Sequence, residues 1–123
     1  MNEIHKYILD VIDAGHEIHD EPKRFAVYLD HKYGSSTKSY SIEQLMKIAE
    51  EEQEHFLGQY RSPADFAEES LTNAYEYELE ALPSIIRNGI DWAEIWNSEY
   101  RHDCIDEEIY DDGEFWTLIW HAH

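Results

Sequence analysis

Between Ser41 and Glu94 the chain carries the same helix-opening device three times. Ser41 is followed three positions on by Gln44, Ser62 by Asp65 with Pro63 between them, and Asp91 by Glu94. In each case a short polar side chain at the N-cap can accept a first-turn backbone N–H, and the later residue can reach back to the cap. Pro63 falls at the first helical position, where its missing N–H costs nothing. Three such starts commit the middle of a 123-residue chain to short helices with tight breaks between them.

The rest of the pattern fits around these starts. Residues 3–14 read as a helix with Ile4, Ile8, Leu9, Val11 and Ile12 as its apolar stripe, Asn2 as cap and Gly15 as terminator. A polar connector from His16 to Glu21 leads to Pro22, which opens a second helix. There Phe25, Tyr28, Leu29 and Tyr33 recur at helical spacing before Gly34. Ser35 to Ser39 reads as a loop. The Ser41 helix runs to about His55, with Ile42, Leu45, Met46, Ile48 and Ala49 inward and Glu50, Glu51, Glu52, Gln53 and Glu54 outward. Gly58 is expected to turn the chain into the Ser62 helix. That helix sets Phe66, Ala67, Leu71 and Ala74 against Asp65, Glu68, Glu69 and Glu76. Pro83 begins a turn of helix through Ile86, Asn88-Gly89 ends it, and Asp91 opens a helix that buries Trp92, Ile95 and Trp96.

From Asp103 the apolar period changes from helical to alternating. Cys104–Tyr110 and Glu114–Trp120 read as two strands around an Asp-Gly turn. The expected fold class is α+β, a mostly helical acidic domain with a small C-terminal antiparallel hairpin or sheet. It is read as one domain over residues 1–123, with 1–24 forming an N-terminal helix and connector. A hydrophobic content of 42%, with 14% aromatic, is too high for a disordered acidic tail.

Charge decides which partners are open to such a chain. Twenty-eight Asp and Glu against nine Lys and Arg give −19, well beyond the magnitude of about 2–8 that keeps a small domain soluble. Residues 62–123 hold 16 of the acids and only Arg87 and Arg101 as bases. That field opposes direct binding to nucleic acid or to an anionic membrane and favours a strongly basic partner. A single cysteine, Cys104, excludes an intrachain disulfide and fits a reducing cytoplasm. The sequence has neither a signal-peptide core nor a run of about 20 apolar residues, so the expectation is a soluble cytoplasmic protein.

Sites for catalysis are weak. Eight histidines include His16 and His19, the compact His102-Asp103-Cys104, and His121 with His123, but no zinc-motif spacing is present. No metal or cofactor is expected. Ser35, Ser36 and Ser62 lack a nucleophile elbow, and Cys104 has only Arg101 and His102 as basic neighbours. Paired carboxylates arise by chance among 28 acids and do not indicate a glycosidase. A helix-turn-helix reading of residues 22–55 fails because the second helix ends in glutamates where DNA needs a basic face. The chain is read as a non-enzyme.

The carboxylates themselves remain. Residues four apart on a helix lie about 5–6 Å from each other, while phosphates on one DNA strand advance about 3.4 Å per nucleotide along the axis. Glu50 with Glu54, Asp65 with Glu69 and Glu68 beside them, and Glu76 with Glu80 can therefore present negative charge at roughly phosphate spacing. Asp103, Asp106, Glu107, Glu108, Asp111, Asp112 and Glu114 add seven more acids with no intervening base.

The run from Phe56 through Gly58, Tyr60, Ser62 and Asp65-Phe66-Ala67-Glu68-Glu69 resembles a segment of the ArdA-type antirestriction proteins. Leu82-Pro83, Ile90-Asp91-Trp92-Ala93 and Phe115-Trp116 follow in a similar order, and Phe25-Ala26-Val27-Tyr28-Leu29 with Gly34 is similar to the family's preceding helix. The resemblance covers about residues 25–118, a short form beside full members that carry further domains in series. It implies a DNA mimic that binds a type I restriction-modification complex in its basic groove, without catalysis or cofactor. It also implies a homodimer encoded on a phage, plasmid or other mobile element. Two alternatives stand beside it: an acidic module for another basic DNA-binding protein or an antitoxin-like partner, and a small metal-dependent hydrolase using His102, Asp103 and His121.

Overall fold

The computed structural model describes residues 3–122; the Asn2 cap and His123 lie outside the described residues. The chain divides into two compact units, one ending at Phe56 and the other beginning at Leu57.

The first unit is helical: α1 (Glu3–Asp13), α2 (Pro22–Lys32), a 3₁₀ segment (Gly34–Ser39) and α3 (Ile42–His55). Ile4 and Ile8, one turn apart on α1, meet Phe25, Ala26 and Leu29 of α2 and Leu45 and Ala49 of α3 in one core, with Ile18 from the connector. The expected capping box closes in both directions. Gln44 N–H donates to Ser41 Oγ at 3.2 Å, and Ser41 N–H donates to Gln44 Oε1 at 2.8 Å.

Two expectations for this unit are corrected. Gly34–Ser39 is not a loop but a 3₁₀ segment, because its hydroxyls reinforce the tight turns. Thr37 Oγ1 donates to the Gly34 carbonyl at 2.7 Å and Ser39 Oγ to that of Ser36 at 2.6 Å, with Thr37 fully buried. On α3, Met46 faces outward at 47% exposure, and Glu52, expected on the outer face, is fully buried. Positions 45, 49 and 52 are spaced by four and three, so the inward stripe of Leu45 and Ala49 ends on a glutamate.

The second unit combines helices and sheet. After β1 (Phe56–Tyr60), whose first residue ends the first unit, come α4 (Pro63–Ala74), α5 (Glu76–Glu80), α6 (Ser84–Asn88) and α7 (Trp92–Ile95). A π-helical turn (Trp96–Tyr100) and a 3₁₀ turn (Arg101–Asp103) lead into β2 (Cys104–Asp111) and β3 (Glu114–His121). The strands form a three-stranded antiparallel sheet in the order β1-β3-β2. Helices plus this small sheet make the protein α+β.

Phe66 organises the unit's core with Ala67, Trp96 and Ile119. Its ring meets Tyr60, Trp96 and Tyr100 edge-on, at centroid distances of 5.3, 5.8 and 5.4 Å. Ser62 caps α4 by accepting from Asp65 N–H at 3.3 Å, and Asp91 caps α7 by accepting from Glu94 N–H at 3.1 Å. The hairpin register pairs Asp111 with Glu114, leaving Asp112 and Gly113 at the turn with φ of 51° and 79°. Positive φ at both positions is what a two-residue type I′ turn demands, and Asp-Gly supplies it.

Three local expectations also change here. Gly58 lies within a strand rather than at a turn, with φ of 154°. A Cβ there would stand 2.8 Å from the Tyr60 ring, so glycine lets that ring fold back beside the strand. The helix opened by Ser62 does not reach Glu76, because Tyr75, at φ −130° and ψ 39°, closes α4 and α5 restarts beyond it. On the Asp91 helix Trp96 is buried, but Trp92 and Ile95 are only half-buried, since the helix widens into a π turn after one turn.

Candidate functional site

Of the nominated carboxylates, Glu50 and Glu54 stand exposed on α3 in the first unit. The other 12 lie in the second unit, and all but Glu107 are exposed. They fall into groups. Asp65, Glu68 and Glu69 share the first turns of α4, where acids complement the unpaired N–H groups of the helix start. Glu76 and Glu80 close the two ends of the short α5.

The strand splits its own acids. Asp106 and Glu108 lie opposite Ile119 and Thr117 on one face of the hairpin, whereas Glu107 lies opposite Leu118 on the other. Residues two apart on a strand are about 6.8 Å apart, so Asp106 and Glu108 form a short exposed row that excludes Glu107. Asp111, Asp112 and Glu114 cluster at the turn, and Asp103 ends the 3₁₀ turn before β2.

Glu69 and Glu114 are among the acids engaged within the unit. Glu69 accepts a hydrogen bond from Tyr60, whose hydroxyl is pushed up to about 12 by burial and then by that carboxylate. Glu114 Oε1 meets Arg61 Nη2 at 2.9 Å, and the Arg61 guanidinium lies 4.2 Å above the Trp116 ring. The second unit sets 16 acids against Arg61, Arg87 and Arg101. Its surface is therefore far from charge balance.

The first unit draws two of its acids inward. Buried Glu52 takes Arg24 Nε at 2.6 Å on Oε1, and Arg24 Nη2 at 3.1 Å and His19 Nε2 at 2.7 Å on Oε2. His19 Nδ1 accepts from Glu21 N–H at 2.8 Å, which leaves the ring proton on Nε2 and directs it to Glu52. The His19 ring stacks on Phe25 at 4.9 Å, and Arg24 covers the Phe56 ring at 4.0 Å. One helical position away, Glu51 accepts from Tyr28 at 2.9 Å, Tyr33 at 3.1 Å and Lys32 at 3.0 Å. Burial pulls the Glu51 carboxyl upward, but the hydrogen bonds from Lys32 and Tyr28, with the Lys32 charge, hold it below its ordinary value. The Tyr33 hydroxyl is pushed up to about 12 by burial and by Glu51.

Neither Glu52 nor Glu51 stands out in the sequence from its exposed neighbours by residue type. The legible signal is position: Glu52 continues the Leu45–Ala49 stripe, and Arg24 lies on a neighbouring amphipathic helix.

The residues nominated for catalysis are only partly brought together. Asp103, Cys104 and His121 line one hollow of about 450 Å³ together with Glu69 and Tyr100, while His102 does not line it. Burial pushes the Cys104 thiol up to about 11, and Asp103 and Asp106 push in the same direction, so this cysteine is held as a thiol rather than a thiolate. Among the described residues no group of three or more His, Cys, Asp or Glu is placed to hold a metal ion. His16 is exposed while His19 is committed to Glu52, which separates that pair as ligands. No helix among the described residues is long and apolar enough to cross a membrane.

Comparison with protein-family models, with curated proteins and with solved structures finds no match.

Proposed function

We propose that the protein is a DNA mimic that occupies the basic DNA-binding groove of a type I restriction-modification enzyme in a reducing cytoplasm, without chemistry of its own. The observation that carries this reading is the second unit's surface, where 11 of its 12 nominated carboxylates are exposed and only three bases oppose 16 acids. Rows on α4 and on β2 hold several of these charges at near-phosphate separations on a rigid frame. Pairing such a surface with a free groove of Lys and Arg releases the counterions held by the charges that meet, so affinity falls as salt rises. The resemblance of residues 25–118 to the ArdA-type proteins supplies the particular target.

The test is competition between the protein and a duplex for a purified type I methyltransferase at low and moderate salt. Stoichiometric displacement of DNA, weakening steeply with salt, supports mimicry. Absence of displacement at both salts removes the restriction target.

A further inference from the structure

We propose that the α5–α6 segment is an apolar anchor for the same basic partner, so that the acidic unit docks by buried hydrocarbon as well as by charge. This rests on the reading of the second unit as a surface for a basic protein, and not on which protein that is.

DNA offers its ligands a regular polyanion, and a pure mimic needs little apolar surface. This unit departs from that pattern. Tyr77 is 82% exposed, Ile85 85% and Ile86 53%, all on two consecutive helices joined by a short turn through Pro83. Neither α5 nor α6 buries any residue fully. In the first unit, by contrast, the one large hydrophobic side chain so exposed among the described residues is Met46. Scattered apolar residues on a surface need no explanation, but three of this size on ten residues of chain mark a contact surface.

Charge selects the occupant. Glu76, Glu78 and Glu80 alternate along α5 around Tyr77, and all are exposed. α5 and α6 also wall a hollow of about 500 Å³, lined by Glu68, Glu76, Glu80, Leu79, Arg87 and Trp92. A second copy of this chain would bring like charges together across the face, and an anionic lipid surface or nucleic acid would do the same. A protein segment with apolar side chains at its centre and Lys or Arg around them is complementary to both features, and such a core-and-rim arrangement is the ordinary anatomy of a protein interface.

The probe is a pair of synthetic peptides with equal numbers of lysines, one pairing lysine with leucine at helical spacing and the other with serine. Binding is read from tryptophan fluorescence, with Trp92 in the hollow as reporter, at about 0.1 M and about 1 M salt, Debye lengths of about 10 Å and about 3 Å. Both peptides should bind at low salt, and only the lysine–leucine peptide should remain bound at high salt. Tyr77→Ser/Ile85→Ser/Ile86→Ser should erase that preference, weakening the lysine–leucine peptide by on the order of tenfold or more while leaving the lysine–serine peptide unchanged. Ile85→Ser alone, at the most exposed of the three positions, should show a smaller loss in the same direction. Glu76→Gln/Glu78→Gln/Glu80→Gln should weaken both peptides at low salt.

Equal binding of the two peptides by the unaltered protein would overturn the proposal, as would a preference that survives the triple serine variant. Sedimentation showing a dimer that the triple serine variant dissolves would also overturn it, assigning the face to self-association. No restriction enzyme is present in this assay, so a failed competition against a methyltransferase leaves the anchor standing, and a failed anchor leaves the competition standing.

Discussion

Both units of this chain expose most of their carboxylates, and they differ in the two that the first draws inward. The first draws Glu52 into its core and closes Glu51 within a ring of Tyr28, Tyr33 and Lys32. Those acids act as structural acceptors whose charge is met within a few ångströms. The second exposes nearly all of its acids and builds its core from Phe66, Trp96 and Ile119 without them. An acidic composition is thus two things in one chain: internal wiring at Glu51 and Glu52, and an unbalanced field of exposed acids that is densest in the second unit. Only the second kind is available to a partner, and only the second should weaken its own fold by self-repulsion.

Glu52→Ala should destabilise the protein most. It leaves Arg24 and His19 without their shared acceptor in a buried setting, and the expected cost is about 3–5 kcal/mol in urea unfolding. Combining it with Arg24→Met and His19→Leu removes the stranded groups and should recover much of the loss, because a buried ion pair replaced by well-packed hydrocarbon is often neutral. If Glu52→Ala costs no more than an exposed glutamate of α4, the internal-wiring account of the first unit fails.

Acid should act with opposite signs on the Glu51 ring and on the exposed field. The Glu51 carboxyl is held below its ordinary value of 4.5, so its contribution is complete above that value and is lost as pH falls through the lower, folded one. Over the same interval protonation removes net negative charge and relieves repulsion in the second unit. Amide protection factors should therefore fall around Ala49 and rise around Ile119 between pH 7 and the acid limb. The alkaline limb carries the opposite sign for tyrosine. The Tyr33 hydroxyl is pushed up to about 12 from 10, so stability present below 10 is lost as pH rises towards 12. A parallel acid response in both units would merge them into one electrostatic class.

How much of this could be read from the residues depends on whether a feature is local. The three caps are local, and Ser41, Ser62 and Asp91 all accept the first-turn N–H that their spacing predicted. The Asp112-Gly113 turn is local in the same sense, and its register follows from the positive φ that those two residues tolerate. The fate of Glu52 is not local. Its helix face was legible from Leu45 and Ala49, but the base that makes burial tolerable comes from Arg24, 28 positions away. Likewise β1 looked like a glycine turn because its partner strand, β3, is distant in sequence. The nominated acids are mostly exposed, yet the division of Asp106 and Glu108 from Glu107 required the strand register.

Local devices predict a middle rank of effects. Ser62→Ala deletes the cap of α4, the helix that delivers Phe66 to the second core, and should cost about 1 kcal/mol. Ser62→Asp should retain most of the stability, since its carboxylate can accept the same Asp65 N–H and sits at the favourable end of the helix. A Ser62→Asp variant as unstable as Ser62→Ala would mean that added repulsion from the unit's field outweighs the cap.

The smallest expected effect is the most diagnostic of distributed charge. Glu108→Gln removes one exposed carboxylate from β2, opposite Thr117, and should change stability by no more than about 0.5 kcal/mol. Its sign should be stabilising at low salt, because it reduces a like-charge excess, and the gain should shrink as salt screens the field. Against a basic partner the same substitution should cost only a fraction of a kcal/mol, with losses accumulating as Asp106, Asp111, Asp112 and Glu114 are neutralised in turn. Double-mutant cycles between such sites should be close to additive where the sites share no partner. A single neutralisation that abolished binding would convert the surface from a field into a point contact, and would bring the second unit under the same logic as Glu52 in the first.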